Sequence, residues 1–345
     1  MSTPTIHEAF TMQARACADL DSPFMERLMT LFAQRLTPGT PVADRLLDWP
    51  GDTSFRGDSV PLRLAGALHA LRIEEVALAD VYPPHAPSDD ALWTAVSAAM
   101  AAHAPRLLAW LERAPQTNEV RRAAAILPVL AGLQARLRLP VRLLELGCSG
   151  GLNLRMEAFR ADLGGRVLGD PASDVALTPE WSGPAPDGDV PQIIARAGVD
   201  LAPVETTSME GRLRLLAYLW PDQPERIART DAAIRIARER PATMDRADAG
   251  AWLDAVLARP AEGALTVVYH TVAWQYFPPA SQARAEGAMA RAARKGPLAR
   301  IGMEGDGGRG ASVTLTTWPS GRAHEVARAD FHGRWIEWKG LPNAL

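Results

Sequence analysis

Cysteine is scarce in this chain, and its scarcity limits what can hold the fold together. Among the 345 residues only Cys17 and Cys148 are cysteines, too few and too far apart in sequence for a disulfide framework or a metal cluster. We therefore expect no metal centre, and a reducing cytoplasm is the location that this cysteine content favours. The length suffices for one large domain and an accessory one.

The chain also lacks an excess of one charge and any long apolar run. Its 37 Lys and Arg residues nearly balance 40 Asp and Glu residues, and the net charge of −3 gives no indication of a nucleic-acid partner. No run approaches the roughly 20 apolar residues that span a bilayer, and residues 1–19 lack the basic and apolar regions of a secretion signal. The composition therefore predicts a soluble protein with a small-molecule partner and no membrane or nucleic-acid partner. It leaves the oligomeric state open.

Alanine- and leucine-rich segments with helical spacing dominate residues 1–138. They cover residues 9–36, 60–81, 90–113 and 118–137, and prolines separate them. Ser88 is a good N-cap for the third segment, and Thr117 and Asn118 are good caps for the fourth. We expect a helical accessory domain at 1–138 that caps a second domain at 139–345.

The stretch 141–154 most needs a functional explanation. Val141–Leu146 reads as a buried parallel strand, and residues 152–163 read as a helix with an apolar inner side. The turn between them holds Gly147, Gly150 and Gly151. Glycines allow a sharp bend and the close approach of a ligand, and a helix start offers unpaired N–H groups. This order of strand, glycine turn and helix suits a nucleotide-like cofactor.

The turn fits two chemical templates. Glu145-Leu-Gly147-x-Ser149-x-Gly151 resembles the first motif of class I S-adenosylmethionine (SAM) methyltransferases, with Ser149 in place of the usual second glycine. Residues 147–151 also match G-x-S-x-G, the nucleophile elbow of α/β-hydrolases. For a hydrolase, the partners of Ser149 would be Asp200 or Asp248 and His270 or His332. A tight turn that serves packing alone is a third interpretation.

Acidic residues that could hold a nucleoside follow further along the chain. Residues 164–188 read as an inserted hairpin, with strands around 166–168 and 175–177. After it, Asp200 ends a short strand, where the SAM methyltransferase resemblance implies a carboxylate for the ribose hydroxyls. Asp170 is the second candidate for that role, because its distance from Gly151 is the more usual one. Asp248 precedes a helix, and the resemblance implies an acid near the adenine there; a simple helix N-cap is the alternative.

A second strand end carries large polar-tipped side chains. Leu265–Tyr269 is a strong buried-strand pattern, and His270, Trp274, Gln275 and Tyr276 follow it. Ligands bind at the carboxyl ends of strands in open α/β sheets, so we expect these residues in a pocket. His270 is the candidate base because an unperturbed imidazole has a pKa of about 6.5. A core histidine that anchors the strand is the alternative.

The last part of the chain reads as three strands, at 298–304, 311–318 and 325–338. Together with the earlier strands they predict an α/β fold of the Rossmann-like SAM-methyltransferase type, mostly parallel with an antiparallel C-terminal strand. A structure with four or more strands before Val141 would contradict this prediction.

Several longer motifs resemble a bacterial family known as domain of unknown function 2332. They are residues 115–120 (PQTNEV), 145–154 (ELGCSGGLNL), 220–223 (WPDQ), 270–276 and 331–338 (FHGRWIEW). The resemblance runs nearly end to end, so the chain is identified as a member of that family. It implies no particular activity, and the methyltransferase interpretation therefore depends on the strand order and the glycine turn.

We expect a SAM-dependent methyltransferase that acts on a small organic acceptor. A hydrolase elbow normally follows several strands and an oxyanion loop, whereas the residues before Val141 are helical and contain no such loop. The alternatives are a serine hydrolase that uses Ser149 and a non-catalytic Rossmann-like binding protein. The predicted cofactor residues are Glu145, Gly147, Ser149, Gly151, Asp200 and Asp248. The predicted acceptor pocket comprises His270 as base with Asn118, Glu119, Trp274, Gln275 and Tyr276.

Overall fold

The computed structural model describes residues 4–343, and the chain divides into two compact units. The helical unit contains residues 1–117 and 209–231, and the sheet unit contains residues 118–208 and 232–345. This division differs from the predicted boundary at 138. The helix at 123–137 belongs to the sheet unit because it packs against strands there, and residues 209–231 belong to the helical unit because their helix packs against helix 60–73.

The helical unit is built from short amphipathic helices around one apolar core. Its helices are α1 (Ile6–Asp19), α2 (Pro23–Arg35), α3 (Pro41–Leu47), α4 (Val60–Ile73), α5 (Asp89–Ala102), α6 (Ala104–Leu111), α8 (Met209–Ala217) and the first half of α9 (Pro224–Glu239). The Ser88 side chain accepts a hydrogen bond from the backbone N–H of Ala91 and thus caps α5 as predicted. Phe10 and Phe32 stack in the core with their ring centroids 5.1 Å apart.

The sheet unit contains all the strands within residues 4–343. Its helices are α7 (Ala123–Leu137), the second half of α9, α10 (Ala249–Leu257) and α11 (Pro279–Ala292), with 3₁₀ helices at Val120–Arg122, Leu152–Ala158 and Trp274–Tyr276. Its strands are β1 (Val141–Leu146), β2 (Arg160–Leu163), β3 (Arg166–Gly169), β4 (Ala176–Leu177), β5 (Glu180–Ser182), β6 (Ile193–Asp200), β7 (Thr243–Arg246), β8 (Leu265–Thr271), β9 (Leu298–Gly305), β10 (Ala311–Thr317), β11 (Ala323–Ala329) and β12 (Trp335–Trp338). No strand precedes Val141 in the described part of the chain, as predicted.

A large, mostly parallel nine-stranded sheet organises this unit. Its order is β5-β12-β11-β10-β9-β8-β1-β6-β7, and the five strands from β9 to β7 are parallel to one another. The chain order of those five strands reverses at β1, between β6 and β8. In open α/β sheets ligands bind outside the carboxyl ends of strands at such a reversal. The carboxyl end of β1 is therefore the place where this architecture favours a site.

Three local predictions differ from the structure. The predicted helix at 152–163 is a 3₁₀ helix that ends where Phe159 turns extended and β2 begins. The inserted hairpin pairs β2 with β3 rather than 166–168 with 175–177, and β4 adds to β2 in parallel. The predicted last strand at 325–338 is two strands, so β10, β11 and β12 make three antiparallel pairings instead of one.

No helix among residues 4–343 is both long enough and apolar enough to cross a lipid bilayer. Cys17 and Cys148 are free thiols, and both are buried.

Candidate functional site

The glycine turn, residues 147–151, lies at the carboxyl end of β1. Gly147, Ser149 and Gly151 all have positive φ angles, of +70°, +50° and +61°. A Cβ atom at Gly147 would lie 2.6 Å from the Cβ of Ala273, which follows β8. The turn can therefore contact the end of β8 only because residue 147 is glycine.

Most backbone N–H groups of the turn are bound within the protein. Gly147 and Cys148 donate to the carbonyl of Val199, and Gly151 donates to the carbonyl of Cys148. The N–H of Leu152, at the start of the 3₁₀ helix, donates to Asn118 Oδ1 at 3.0 Å. A phosphate group binds a turn of this kind through free N–H groups. The turn is thus poorly suited to a dinucleotide pyrophosphate and better suited to a ligand without phosphate.

Asp200, the predicted ribose ligand, is tied directly to the turn. It ends β6, and its Oδ2 accepts the N–H of Ser149 at 2.9 Å while its Oδ1 accepts the N–H of Ala202 at 2.9 Å. Asp170, the other candidate, is an exposed residue that accepts the N–H of Ala172 after β3. The structure therefore brings Asp200, and not Asp170, to the glycine turn.

Asp248 lies after the end of the next strand. Asp200 pairs with Arg246 in the register of β6 and β7, so the two predicted nucleoside acids follow neighbouring strand ends. Asp248 Oδ1 accepts the N–H of Ala251 and caps α10. A hydrogen bond from the Ser281 side chain, followed by those of the cap, lowers the pKa of Asp248. Its helix-cap role is thus observed, and its predicted role near adenine stays a prediction.

The segment 118–122 holds the turn from the other side. Asn118 caps Leu152, as described above, and Asn153 Nδ2 donates to the backbone carbonyl of Glu119 at 3.1 Å. Arg122 donates to the carbonyls of Phe331 at 2.8 Å and Thr271 at 3.1 Å. Asn118 was predicted to cap its own helix and to close over the acceptor from a separate domain. It belongs to the sheet unit and caps the helix that follows the turn rather than its own helix, and its role beside the acceptor stays a prediction.

The loop 330–334 completes this cluster. His332 Nδ1 lies 3.5 Å from Glu119 Oε2, with the Glu119 side chain 2% exposed and the His332 side chain 24% exposed. Gly333 has a φ of +68°, and a Cβ atom there would lie 2.7 Å from the carbonyl oxygen of Arg121. Asp330 fixes the loop by accepting the N–H of His332 at 3.0 Å. An imidazole and a carboxylate thus meet beside the glycine turn.

Glu145 lies beneath the turn in a fully buried polar group. Burial raises its pKa from 4.5 to about 8, although Tyr269 and Arg155 oppose the rise. Glu145 Oε2 and the Tyr269 hydroxyl lack a hydrogen-bond partner of normal geometry among the described residues. Glu145 pairs with Tyr269 across β1 and β8. The carboxyl group therefore braces the turn from below mainly in its neutral form at pH 7.

His270 does not have the geometry expected of a base. It is buried, its Nδ1 lies 2.7 Å from Glu304 Oε1, and its Nε2 accepts from Arg300 Nε at 3.0 Å. Because Nε2 is an acceptor, Nδ1 carries the proton and donates it to Glu304. Burial lowers the pKa of His270, although the Glu304 carboxylate opposes the change. Neither ring nitrogen remains for a substrate, so the geometry favours the alternative interpretation, a core histidine that anchors the strand end.

The three other predicted pocket residues after β8 have different environments. Trp274 stacks on His270, with ring centroids 5.0 Å apart, and the Arg300 guanidinium lies 3.8 Å from the centre of its ring. Gln275 is exposed, and Tyr276 is 70% exposed. Trp274 therefore supports the His270 network, whereas Gln275 and Tyr276 present polar groups at the surface.

The sequence alone does not show that His332 and Arg122 belong to the site. Only the hydrolase alternative considered His332, and nothing local suggested that residues 118–122 and 330–334 meet. The available signal was that both segments overlap the long motifs that carry the family resemblance, as the glycine turn does, although Arg122 itself lies just outside its motif. The structure brings these three motifs together within the sheet unit.

Comparison with known proteins identifies a family but no closer relative. Searches among curated proteins and among solved structures found no match. A family model described as "Uncharacterized protein conserved in bacteria (DUF2332)" matches residues 7–338, which is nearly the whole chain. The chain therefore belongs to this bacterial family, DUF2332.

Proposed function

We propose that the sheet unit binds SAM at the glycine turn and transfers its methyl group to a small organic acceptor. One observation carries this proposal. The motif Glu145-Leu-Gly147-x-Ser149-x-Gly151 ends the strand at which the sheet order reverses, and Asp200 at the end of the adjacent strand is hydrogen-bonded to it. The order of the five parallel strands and this pairing of turn and acid are what the SAM methyltransferase resemblance implies.

The residues present fit a phosphate-free nucleoside ligand. Each oxygen of Asp200 accepts one backbone N–H and retains a lone pair, so the carboxylate can also accept the two hydroxyls of a ribose. Leu201, the next residue, is 73% exposed and offers an apolar surface beside that carboxylate. The adenine would lie towards Asp248, and the methionine part towards residues 147–151.

The Glu119–His332 pair is the acceptor side of the proposed site. When bound, SAM supplies an electrophilic methyl group. The protein must then align the acceptor with that methyl group, and it needs a base only if the acceptor loses a proton. The His332 side chain is partly exposed and its Nδ1 lies 3.5 Å from the Glu119 carboxylate, which is the arrangement of a general base and the group that orients it. We assign proton removal to His332 rather than to His270, because both ring nitrogens of His270 are already bonded.

The hydrolase alternative has less support. The positive φ of Ser149 resembles a nucleophile elbow, but Ser149 follows the first strand of the sheet and a short 3₁₀ helix follows it. The Asp200 carboxylate, a candidate triad member, binds the N–H of Ser149 instead of a histidine.

The free, buried thiols Cys17 and Cys148 suit a reducing cytoplasm, which we propose as the location.

Isothermal titration with S-adenosylhomocysteine, the demethylated product, tests the cofactor assignment. Wild-type protein should give a saturable heat, and Asp200→Asn should weaken binding by roughly tenfold or more, since hydrogen bonds to a charged group contribute about 1.5–3 kcal/mol. Asp170→Asn is the matched control, because Asp170 also accepts a backbone N–H, but that N–H belongs to Ala172 and not to the glycine turn. Gly147→Asp should abolish binding. Absence of binding at millimolar ligand would contradict the proposal and favour a non-catalytic domain.

A second experiment tests His332. His332→Asn should leave the affinity for S-adenosylhomocysteine within a factor of about two, because His332 is placed on the acceptor side. Methyl transfer from labelled SAM to a panel of small phenols, amines and carboxylic acids should fall by about 10²-fold, the usual contribution of a general base. Equal turnover by His332→Asn and the wild type, for an acceptor that must lose a proton, would exclude this role.

A further inference from the structure

A cavity of about 290 Å³ lies within the sheet unit, between the loop after β6 and the end of α9. Its apolar lining includes Val204, Ala237 and Met244, and its polar lining consists of Arg155, Glu205, Thr206, Thr207 and Arg238. None of these residues belongs to the proposed cofactor or acceptor groups. The volume is at the lower end of the range for small-molecule sites. The cavity therefore has room for a small molecule with one polar end.

Arg155 is a buried cation without a salt bridge among residues 4–343, and Glu145 and Glu157 act on it only through longer-range electrostatics. Its guanidinium donates to the backbone carbonyls of Arg240 at 2.8 Å, Gly151 at 2.5 Å and Ala237 at 3.5 Å. Carbonyls satisfy its N–H groups without neutralising its charge. A buried charge is costly unless an opposite charge accompanies it.

The groups next to the cavity leave an excess of positive charge. Arg238 donates to the carbonyl of Thr206 at 3.0 Å, which places a second guanidinium at the cavity. Glu205 lines the cavity and carries a negative charge that its bonds to Thr207 do not neutralise, and the carboxylate of Glu157 is shared between Arg196 and Arg240. The four guanidinium groups of Arg155, Arg196, Arg238 and Arg240 thus face the two carboxylates of Glu157 and Glu205, an excess of two positive charges. Glu145 does not supply the missing charge, because its raised pKa of about 8 keeps it mostly neutral at pH 7. The negative C-terminus of α9 offsets only part of this excess.

We propose that this cavity binds the carboxylate of a small organic acid. The carboxylate would lie between Arg155 and Arg238, because a planar carboxylate accepts paired N–H groups from a guanidinium. A short alkyl or similar apolar body would lie against Val204, Ala237 and Met244. Its lining residues are distinct from those of the cofactor proposal, although Arg155 and Val204 donate hydrogen bonds to the carbonyls of Gly151 and Ser149 in the glycine turn.

Ligand-observed NMR titration of the complete protein at constant ionic strength tests this site, with butanoate as the probe. Butanamide has the same shape without the charge, and inorganic phosphate has charge without the apolar body. We expect saturable binding of butanoate and none of butanamide. Saturation by butanamide as well, binding of phosphate without butanoate, or no saturable butanoate binding would each overturn the proposal.

Variants locate the binding without removing Arg155, whose carbonyl contacts support the fold. Arg238→Met should weaken butanoate binding roughly tenfold, as expected for a lost charged hydrogen bond. Arg235→Met is the matched control on the same helix, because Arg235 pairs with Asp174 and does not line the cavity. Ala242 is a half-buried lining residue, so Ala242→Phe should fill part of the cavity and abolish binding while the melting temperature is maintained. Equal weakening by Arg235→Met and Arg238→Met, or binding that persists in Ala242→Phe, would exclude this cavity as the site.

Discussion

Replacing Glu145 by glutamine tests the buried carboxyl group under the glycine turn. The amide has nearly the shape of the carboxyl group but cannot ionise. In the wild type, burial raises the pKa of Glu145 from 4.5 to about 8. The folded protein therefore keeps a proton that the unfolded chain releases, so the stability contributed by this group is complete below pH 4.5 and is lost as the pH rises through 8.

The size of the loss follows from the two pKa values. Between them the free energy of unfolding falls by about 1.4 kcal/mol for each pH unit. The wild type should therefore lose roughly 4 kcal/mol between pH 4.5 and pH 8 because of this one group, and Glu145→Gln should lose none of it. Since Glu145 is fully buried, solvent does not screen this effect as it does at the surface.

Urea unfolding of both proteins at several pH values from 5 to 8 measures this difference. Other titrating groups affect both proteins alike, so the difference in free energy of unfolding isolates residue 145. The free energy of unfolding of Glu145→Gln, relative to that of the wild type, should rise by about 1.4 kcal/mol per pH unit across this range. A difference that stays constant with pH would refute the conclusion that Glu145 is neutral in the folded protein.

Three further predictions follow from the contacts described. His270→Asn should lower the free energy of unfolding by about 3 kcal/mol, because Glu304 and Arg300 lose their buried partner. Calorimetry should show that its affinity for S-adenosylhomocysteine is unchanged. Weakened affinity at unchanged stability would contradict this. Burial lowers the pKa of His69 from 6.5 to about 4, so protonation of this group removes stability as the pH falls between those values. In acid titrations followed by circular dichroism, His69→Gln should therefore unfold at a lower pH than the wild type. The same midpoint in both proteins would contradict this. Gly333 and Gly340 both have positive φ angles, but only a Cβ atom at residue 333 would meet a backbone oxygen. Thermal unfolding should therefore show that Gly333→Ala lowers the free energy of unfolding by about 2 kcal/mol more than Gly340→Ala does. Equal losses would contradict this.

Features of the fold that depend on a local sequence pattern could be predicted from the sequence. The start of β1 at Val141, the buried strand β8 and the cap at Ser88 follow from apolar periodicity and cap chemistry. The helix after the glycine turn could not be read in this way. Leu152, Met156, Phe159 and Leu163 are all buried, and that spacing fits both one helix and a 3₁₀ helix followed by a strand.

The composition of the site depended on contacts between distant segments. The apolar pattern around 118–137 predicts a helix but does not show that Asn118 caps Leu152, 34 residues away. The different environments of His270 and His332 also depend on contacts between distant segments. One lies between Glu304 and Arg300, and the other is partly exposed beside Glu119, and no local pattern near either histidine shows its partner.

A crystal structure of the complete protein with S-adenosylhomocysteine tests the central proposal most directly. The ribose hydroxyls should lie within hydrogen-bond distance of the Asp200 carboxylate, and the amino-acid part should lie along residues 147–151. The Glu119–His332 pair should face the sulfur. A ligand bound away from the glycine turn, or a turn without ligand in crystals grown at saturating concentration, would contradict the proposal.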